Sequence, residues 1–435
     1  MSATTEALIC QTGPAETAFL TPDIHEFDFI SRYADYADIL EAPREMHEIV
    51  AMQLIATILN RNGVTIPLGS VTIPMDLWVL LLSGSGFGRS TLVGLPRPLL
   101  EKANLTGIIR DDTWGSAQGL FQDLSENPSG LFIWGEMSEK LKTLSDRRFE
   151  NAKEWLTDRY NNMVPPAALR YRKGGNPQTN TQPIEFAHAP RINILATSSV
   201  DWFFANLAQE DSTGGFIPRW MIVTSGKSDK VVPIPRKPDP LLAEPLVSYL
   251  NKIATSVHGE VDLSEIQTDY ERWYGDTKRR FESQPNQQLA IPYFNRHRIH
   301  ALQLAVLFEV SITGSLRVSM RAWKRAVEVC NRLEKTIYSL LPTGMNAEGY
   351  SITKVENAIR ETGDDGMYKS DFTTAFQHDD APVRERRLKT LVDGGKIHRF
   401  RGPISKGRPP IKLVHSDYVD RYVAKHPGDR PLTGF

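Results

Sequence analysis

The chain has 435 residues, which at roughly 150 residues per domain predicts about three domains. With 40% hydrophobic and 24% charged residues it has the make-up of a globular protein, and 51 basic against 52 acidic side chains, a net charge of -1, exclude a uniformly basic or uniformly acidic protein. Two cysteines, Cys10 and Cys330, exclude a disulfide scaffold and a Cys-rich zinc site, and point to a reducing cytosol.

Residues 1–24 are polar and aperiodic, so a flexible tail is expected, without the basic start and apolar core of a signal peptide. From Pro43, apolar residues at Met46, Ile49, Val50, Leu54, Ile55, Ile58 and Leu59 recur at helical spacing until Asn62-Gly63. Leu77–Leu82 is the longest apolar run. It is far short of the roughly 20 residues of a membrane span, which leads to the expectation of a soluble, cytoplasmic protein with no membrane partner. It reads instead as a buried parallel strand. Further strands are expected at Ile108-Ile109, Leu131–Trp134, Ile192–Thr197 and Trp220–Val223, with helical stretches between them, including 89–102 and 113–126. Alternation of this kind predicts an α/β core with a mostly parallel sheet. A Pro/Lys-rich connector follows over 226–242. Residues 243–345 read as a helical domain, 346–416 as a compact terminal unit, and 417–435 as a tail. The core domain then spans 25–242.

Ser83-Gly84-Ser85-Gly86-Phe87-Gly88-Arg89-Ser90-Thr91 lies between a predicted strand and a predicted helix. Glycines there free backbone N–H groups to converge on an anion, and the helix start adds partial positive charge. A Walker A loop reads G-x-x-x-x-G-K-[ST]. Gly88, Ser90 and Thr91 match it, Ser83 replaces the first glycine and Arg89 replaces the lysine. Arginine keeps the charge but has a larger planar fork. Gly84, Gly86, Gly88, Arg89, Ser90 and Thr91 are thus the candidate ATP contacts, with Ser90 the candidate Mg²⁺ ligand. Two alternatives stand beside this: a G-x-G-x-x-G dinucleotide turn whose third glycine falls on Arg89, and a plain strand-to-helix turn.

Leu131–Trp134 is followed by Gly135 and Glu136. A Walker B strand ends in a metal-binding Asp, often with a water-polarising Glu after it. Glu136 takes the second role, and Gly135 stands where the Asp would be. The strand at 192–197 ends in Thr197-Ser198-Ser199, where Ser198 is a candidate phosphate sensor. Arg219 follows a Gly-containing stretch from Gly214 and suits an arginine finger in a neighbouring subunit; the alternative is an ordinary surface salt bridge. The ten histidines show no metal-ligand spacing, and no G-x-S-x-G elbow occurs.

The order of these parts resembles the helicase-like P-loop ATPase domains of phages, plasmids and mobile elements, often found beside primase modules. The correspondence runs over about residues 28–340, through Pro43–Asn62, Gly84–Thr91, Thr113–Leu124, Leu131–Glu136, Leu169–Lys173, Ile192–Ser199 and Gly214–Arg219. It departs at Ser83, Arg89 and Gly135, all at nucleotide or metal positions. The resemblance implies a RecA/AAA-like P-loop core, a helical lid, a homo-oligomeric ring or filament, and basic residues Arg170, Arg172 and Lys173 directed at a single-stranded DNA backbone.

In the terminal unit, three predicted helices (Ile352–Glu361, one opened by Lys369 with Ser370 as N-cap, and Ala381–Val392) precede two short strands, Lys396–Phe400 and Ile411–Val414. This pattern resembles a winged helix-turn-helix. Between Arg384 and Lys412 there are ten Lys and Arg against two acids, the electrostatic footprint of a DNA-binding face. Arg384, Arg386, Arg387, Lys389, Lys396, Arg399, Arg401, Lys406 and Arg408 are its candidate contacts; docking of a protein is the alternative use of such a unit. The expected function is an ATP-dependent, DNA-binding, helicase-like replication protein. The alternative is a non-hydrolysing DNA-binding assembly factor, initiator, regulator or defence component.

Overall fold

The computed structural model describes residues 27–84, 89–110, 113–170, 183–224, 230–403 and 409–432. They fall into two compact units that divide at Leu340. The expected tail over 1–24 lies outside the described residues.

The first unit opens with α1 (Phe29–Ala37) and α2 (Arg44–Arg61), then a hairpin of β1 (Thr65–Leu68) and β2 (Val71–Pro74). Next come β3 (Trp78–Ser83), α3 (Arg89–Gly94), α4 (Arg97–Lys102), β4 (Ile109–Arg110), α5 (Ala117–Glu126) and β5 (Ser129–Trp134). The remainder of the sheet region comprises α6 (Met137–Leu144), α7 (Ala152–Arg159), β6 (Arg191–Ser199), α8 (Val200–Ala205), α9 (Gln209–Thr213) and β7 (Trp220–Thr224). Five of these strands form one all-parallel sheet in the order β4-β5-β6-β3-β7. The chain is therefore α/β, as its alternating pattern predicts.

Both faces of the sheet are covered, which is why its strands are continuous apolar runs rather than alternating ones. Every residue of β3 is buried. Val79 and Leu81 turn toward a core shared with α2. On the opposite face Trp78, Trp134 and Trp220 interlock, with ring centroids 5.4 Å apart for Trp78–Trp220 and for Trp134–Trp220. At the sheet's edge Gly130 leaves room for Arg110: an added Cβ would lie 2.3 Å from Arg110 Cγ.

Four long helices follow: α10 (Pro240–Ser256), α11 (Gln267–Glu282), α12 (Gln287–Thr313) and α13 (Met320–Leu340). They were expected as a domain of their own. Instead they share one hydrophobic core with α2 and the sheet, joining Leu250, Leu302 and Val329 to Ile55, Leu131 and Leu195. That makes α2 a central helix, buried at every position from Met46 to Asn60.

A helix buried all round can reach partners for its polar groups only inside the protein, and Gln53 and Asn60 do so through their donors. Gln53 Nε2 donates to the carbonyls of Leu77 (3.1 Å) and Ile194 (3.2 Å). Asn60 donates to Asp76 Oδ1 (2.9 Å) and to Asn193 Oδ1 (2.6 Å), and accepts from Met75 N (2.8 Å). Asp76 also accepts from Ile192 N (3.1 Å) and Asn161 N (2.9 Å). From α12, Gln303 donates to the carbonyls of Pro74 and Asp76. This polar knot ties α2, the strand starts and α12 together.

The second unit contains α14 (Ala347–Arg360), β8 (Met367–Tyr368), α15 (Lys369–Ala375), α16 (Ala381–Asp393), β9 (Ile397–Arg401), β10 (Ile411–His415), α17 (Val419–Lys425) and β11 (Arg430–Leu432). Its sheet runs β11-β9-β10-β8, with all pairs antiparallel. The expected N-cap Ser370 lies inside α15, which starts one residue earlier with Tyr368 at the cap. Residues 417–432, read as a tail, carry α17 and β11 and place Tyr422 in a small core with Phe400 and Val414. Gly395, at φ +69°, makes the turn from α16 into β9.

The knot generates a pH prediction. Burial pushes the Asp76 carboxyl up to about 7 against its three N–H donors and nearby Arg191. The folded chain thus keeps a proton that the unfolded chain releases near pH 4, and this group's contribution falls as pH rises from about 4 to 7, by at most about 1.4 kcal/mol per unit. Buried His47, His297 and His300, lowered by burial to about 4, 3 and 3, act oppositely: their contribution falls as pH drops below about 6.5. Urea unfolding of wild type and Asp76→Asn at pH 5, 6 and 7 separates the two. The stability difference in favour of wild type should shrink as pH rises, and a constant difference would refute the assignment.

Candidate functional site

Three strand ends converge at the carboxyl edge of the parallel sheet. β3 leads to Gly84, β6 to Ser198 and Ser199, and β5 to Gly135 and Glu136, with β6 between the other two. Gly84 is half-buried at the strand end, and α3 begins at Arg89. Gly86 and Gly88, and the side chains of Arg89, Ser90 and Thr91, lie outside the described residues.

Glu136 is half-buried and caps α6: its Oε1 accepts from Ser138 N at 3.2 Å. The buried Ser198 hydroxyl also donates to Glu136 Oε1. Ser138 Oγ lies 3.2 Å from Ser198 Oγ, and Thr197 Oγ1 donates to the Gly135 carbonyl at 2.6 Å. The carboxylate is therefore held at a fixed spot by a helix start and a neighbouring strand. Ser138 and Thr197 were missed in the sequence. Ser138 has a readable signal, since an acid two residues before it at a strand-to-helix junction is an N-cap pattern. Gly135 is exposed, and a Cβ added there meets nothing within 4 Å.

Arg219 is not part of this cluster. It ends a 3₁₀ turn, Ile217–Arg219, and directly precedes β7 at the amino end of the sheet, where Trp220 pairs with Trp78. The length of β3 puts it roughly 20 Å from Gly84 within one chain. Its Nη1 donates to the Gly215 carbonyl at 2.5 Å, and it forms no ion pair among the described residues.

Arg170 is exposed, and beside it Leu169 and Ile184 exchange two 2.9 Å backbone hydrogen bonds. Arg172 and Lys173 lie outside the described residues, as do Lys406 and Arg408.

In the second unit the basic side chains divide into two groups. Arg387, 13% exposed, bonds Glu348 (3.0 Å) and Asp379 (2.8 Å), and Arg386 reaches Glu348 at 3.2 Å. Hydrogen bonds from Arg387, then Arg386, hold Glu348 below the usual carboxylate range. Arg384 donates to the carbonyls of Phe376 and Asp379. Lys396 stands 3.9 Å from Glu356, and Lys412 donates to the Asp365 carbonyl. These cations brace α14, α15 and the sheet. Arg399 is half-buried. Lys389 and Arg401 are exposed and have no ion pair among the described residues.

No protein-family model matches the chain, and no curated protein matches it at a significant level. Among the described residues no helix is long and apolar enough to cross a membrane.

The bracing arginines carry a prediction. Arg387→Ala strands Asp379 and leaves Glu348 with Arg386 alone, and should lower the stability of the second unit by about 1–3 kcal/mol. Lys389→Ala should change it by less than about 0.5 kcal/mol. Chemical denaturation of both variants checks the contrast.

Proposed function

We propose that the chain is a DNA-binding, ATP-dependent protein of the helicase-like replication type found in mobile elements, with a RecA/AAA-like P-loop core and a C-terminal winged helix, working as a homo-oligomer. The observation that carries this reading is the meeting of Gly84, Ser198 and Glu136 at the carboxyl edge of an all-parallel sheet. Ligands of open parallel sheets bind beyond the carboxyl ends of the strands, where strand order reverses. β3 is such a place: the chain leaves it for the far edge, returns through β5 and β6, and crosses to β7 on its other side.

In this reading main-chain amides from Gly84 into the start of α3 grip a triphosphate, with Arg89 in the place of the usual lysine and Ser90 as the metal ligand. Mg²⁺ commonly takes one or two carboxylates together with substrate phosphates; with Gly135 in the place of the aspartate, Ser90 would be its protein ligand. When bound, the ion would neutralise charge on the β- and γ-phosphates. Glu136 accepts a proton from the attacking water, and Ser198 positions Glu136. Arg219, at the far end of the sheet, serves only in a neighbouring copy's site. Three helices followed by the β9–β10 hairpin support the winged helix, and the exposed Lys389 and Arg401 are its best placed phosphate contacts.

One observation favours the second reading, a nucleotide-binding assembly factor, initiator, regulator or defence component that does not hydrolyse. Gly135 offers no carboxylate, and Glu136 already accepts two hydrogen bonds.

ATP turnover, with and without single-stranded DNA, separates the two. The first reading expects Glu136→Gln to cut turnover by about 10² or more, and Gly135→Asp, which has open space, to raise Mg²⁺-dependent turnover. Nucleotide binding without turnover in any variant establishes the second reading, and no binding at all defeats both. For the terminal unit, replacing Lys389 and Arg401 with Gln should weaken duplex binding evenly across sequences and lower the salt slope by about 1 per cation. An unchanged affinity and slope would remove the winged-helix assignment.

A further inference from the structure

We propose that Arg401 and Arg430 form a paired cationic seat for the phosphate backbone of duplex DNA, so that β11, on a segment that reads as a tail, belongs to the nucleic-acid surface. The inference rests on the DNA-binding reading of the second unit and extends it to a residue outside the three helices and the β9–β10 hairpin. Strand register makes the pair. β11 runs antiparallel to β9, with Arg430 directly opposite Arg401, Pro431 opposite Phe400 and Leu432 opposite Arg399. Residues directly opposite on adjacent strands share a face, with Cβ atoms about 5 Å apart.

That face has one covered end and one open end. Alternation along β9 puts Ile397, Arg399 and Arg401 on it, together with Leu413, which pairs with Arg399. Ile397 and Leu413 are buried in a core shared with α14, α15 and α16, Arg399 is half-buried, and Arg401 and Arg430 are exposed. The sheet thus emerges from under the helices at the two arginines. Beside them Gly402 N donates to the Pro410 carbonyl at 3.0 Å, which fixes the end of β9. On its other side Arg401 faces Ile411. Asp429, next to Arg430 in the chain, accepts from the Tyr422 hydroxyl, whose ring packs with Phe400 on the opposite face. Neither arginine has an ion pair among the described residues. Like charges directly opposite each other destabilise a sheet. Protection of a bare edge does not account for them, because β9 is an inner strand and Pro431 already blunts β11. A phosphate oxyanion held between two planar forks turns the repulsion into charge-assisted hydrogen bonds. Phosphate contacts carry no sequence information, so the pair supplies affinity and orientation rather than choice of site.

The test is binding of the full chain to two unrelated duplexes of equal length over a range of salt, with thermal unfolding of each variant in the absence of DNA. Arg430→Gln should make the fall of log affinity with log salt shallower by about 0.9 on both duplexes, and Arg430→Lys should keep the wild-type slope. Without DNA the Tm of R430Q should be no lower than that of wild type, because the change relieves a like charge. If Arg401→Gln weakens binding and R430Q does not, the DNA reading stands and the seat is overturned. If wild type binds neither duplex, the reading and the seat fall together. Weakening of R430Q on one duplex alone would make Arg430 a base reader, and a lowered Tm would make it a structural tie; either overturns the seat. Vesicles containing phosphatidylserine that bind wild type but not R430Q, with duplex binding equal for both, would assign the pair to a membrane surface and overturn it as well.

Discussion

The fold of the larger unit turns on one constraint, a helix with no solvent-facing side. α2 is buried from Met46 to Asn60, so the only partners within reach of its amide donors lie inside the protein. Gln53 bonds the carbonyls of Leu77 and Ile194, which lie on adjacent strands or at their mouths, and Asn60 joins Asp76 to Asn193. Apolar contacts alone tolerate sliding of one layer over another; these directional bonds do not. They pin β3 against β6 at their amino ends, and the six-residue parallel register then carries Ser83 and Ser198 to the opposite edge together.

The same constraint accounts for the merging of sheet and helices. A helix that feeds apolar side chains to the sheet on one side has an equally apolar far side to cover. α10, α12 and α13 cover it, so the core continues through α2 rather than stopping at the connector. The two ends of the sheet consequently differ in chemistry. At the carboxyl edge a carboxylate is held by hydroxyl and amide donors. At the amino edge lies the knot centred on Asp76, whose carboxyl burial pushes up to about 7.

In the smaller unit, charge density and charge availability are different things. Ten cations lie between Arg384 and Lys412 in the sequence. α16 spends Arg384, Arg386 and Arg387 on bonds to α14 and to the end of α15, because a small unit with few buried apolar residues depends on such cross-links. Among the described residues, Lys389 and Arg401 are exposed and form no ion pair. A run of basic residues thus overstates the charge that a surface offers.

Much of the local structure was legible in the residues. The four main strands follow from continuous apolar runs, the end of α2 from Asn62-Gly63, and the end of α16 from Gly394-Gly395, because these are consequences of short-range sterics and solvation. The amphipathic α1 and the β1–β2 hairpin carried similar signals that went unread. Strand order, the sharing of one core by sheet and helices, the pairing of Ser198 with Glu136 and the removal of Arg219 to the far end were not legible. Each depends on contacts between residues distant in sequence, 62 positions apart for Ser198 and Glu136. The residues determined which segments would be strands and helices; only the packing around α2 decided which of their ends would meet.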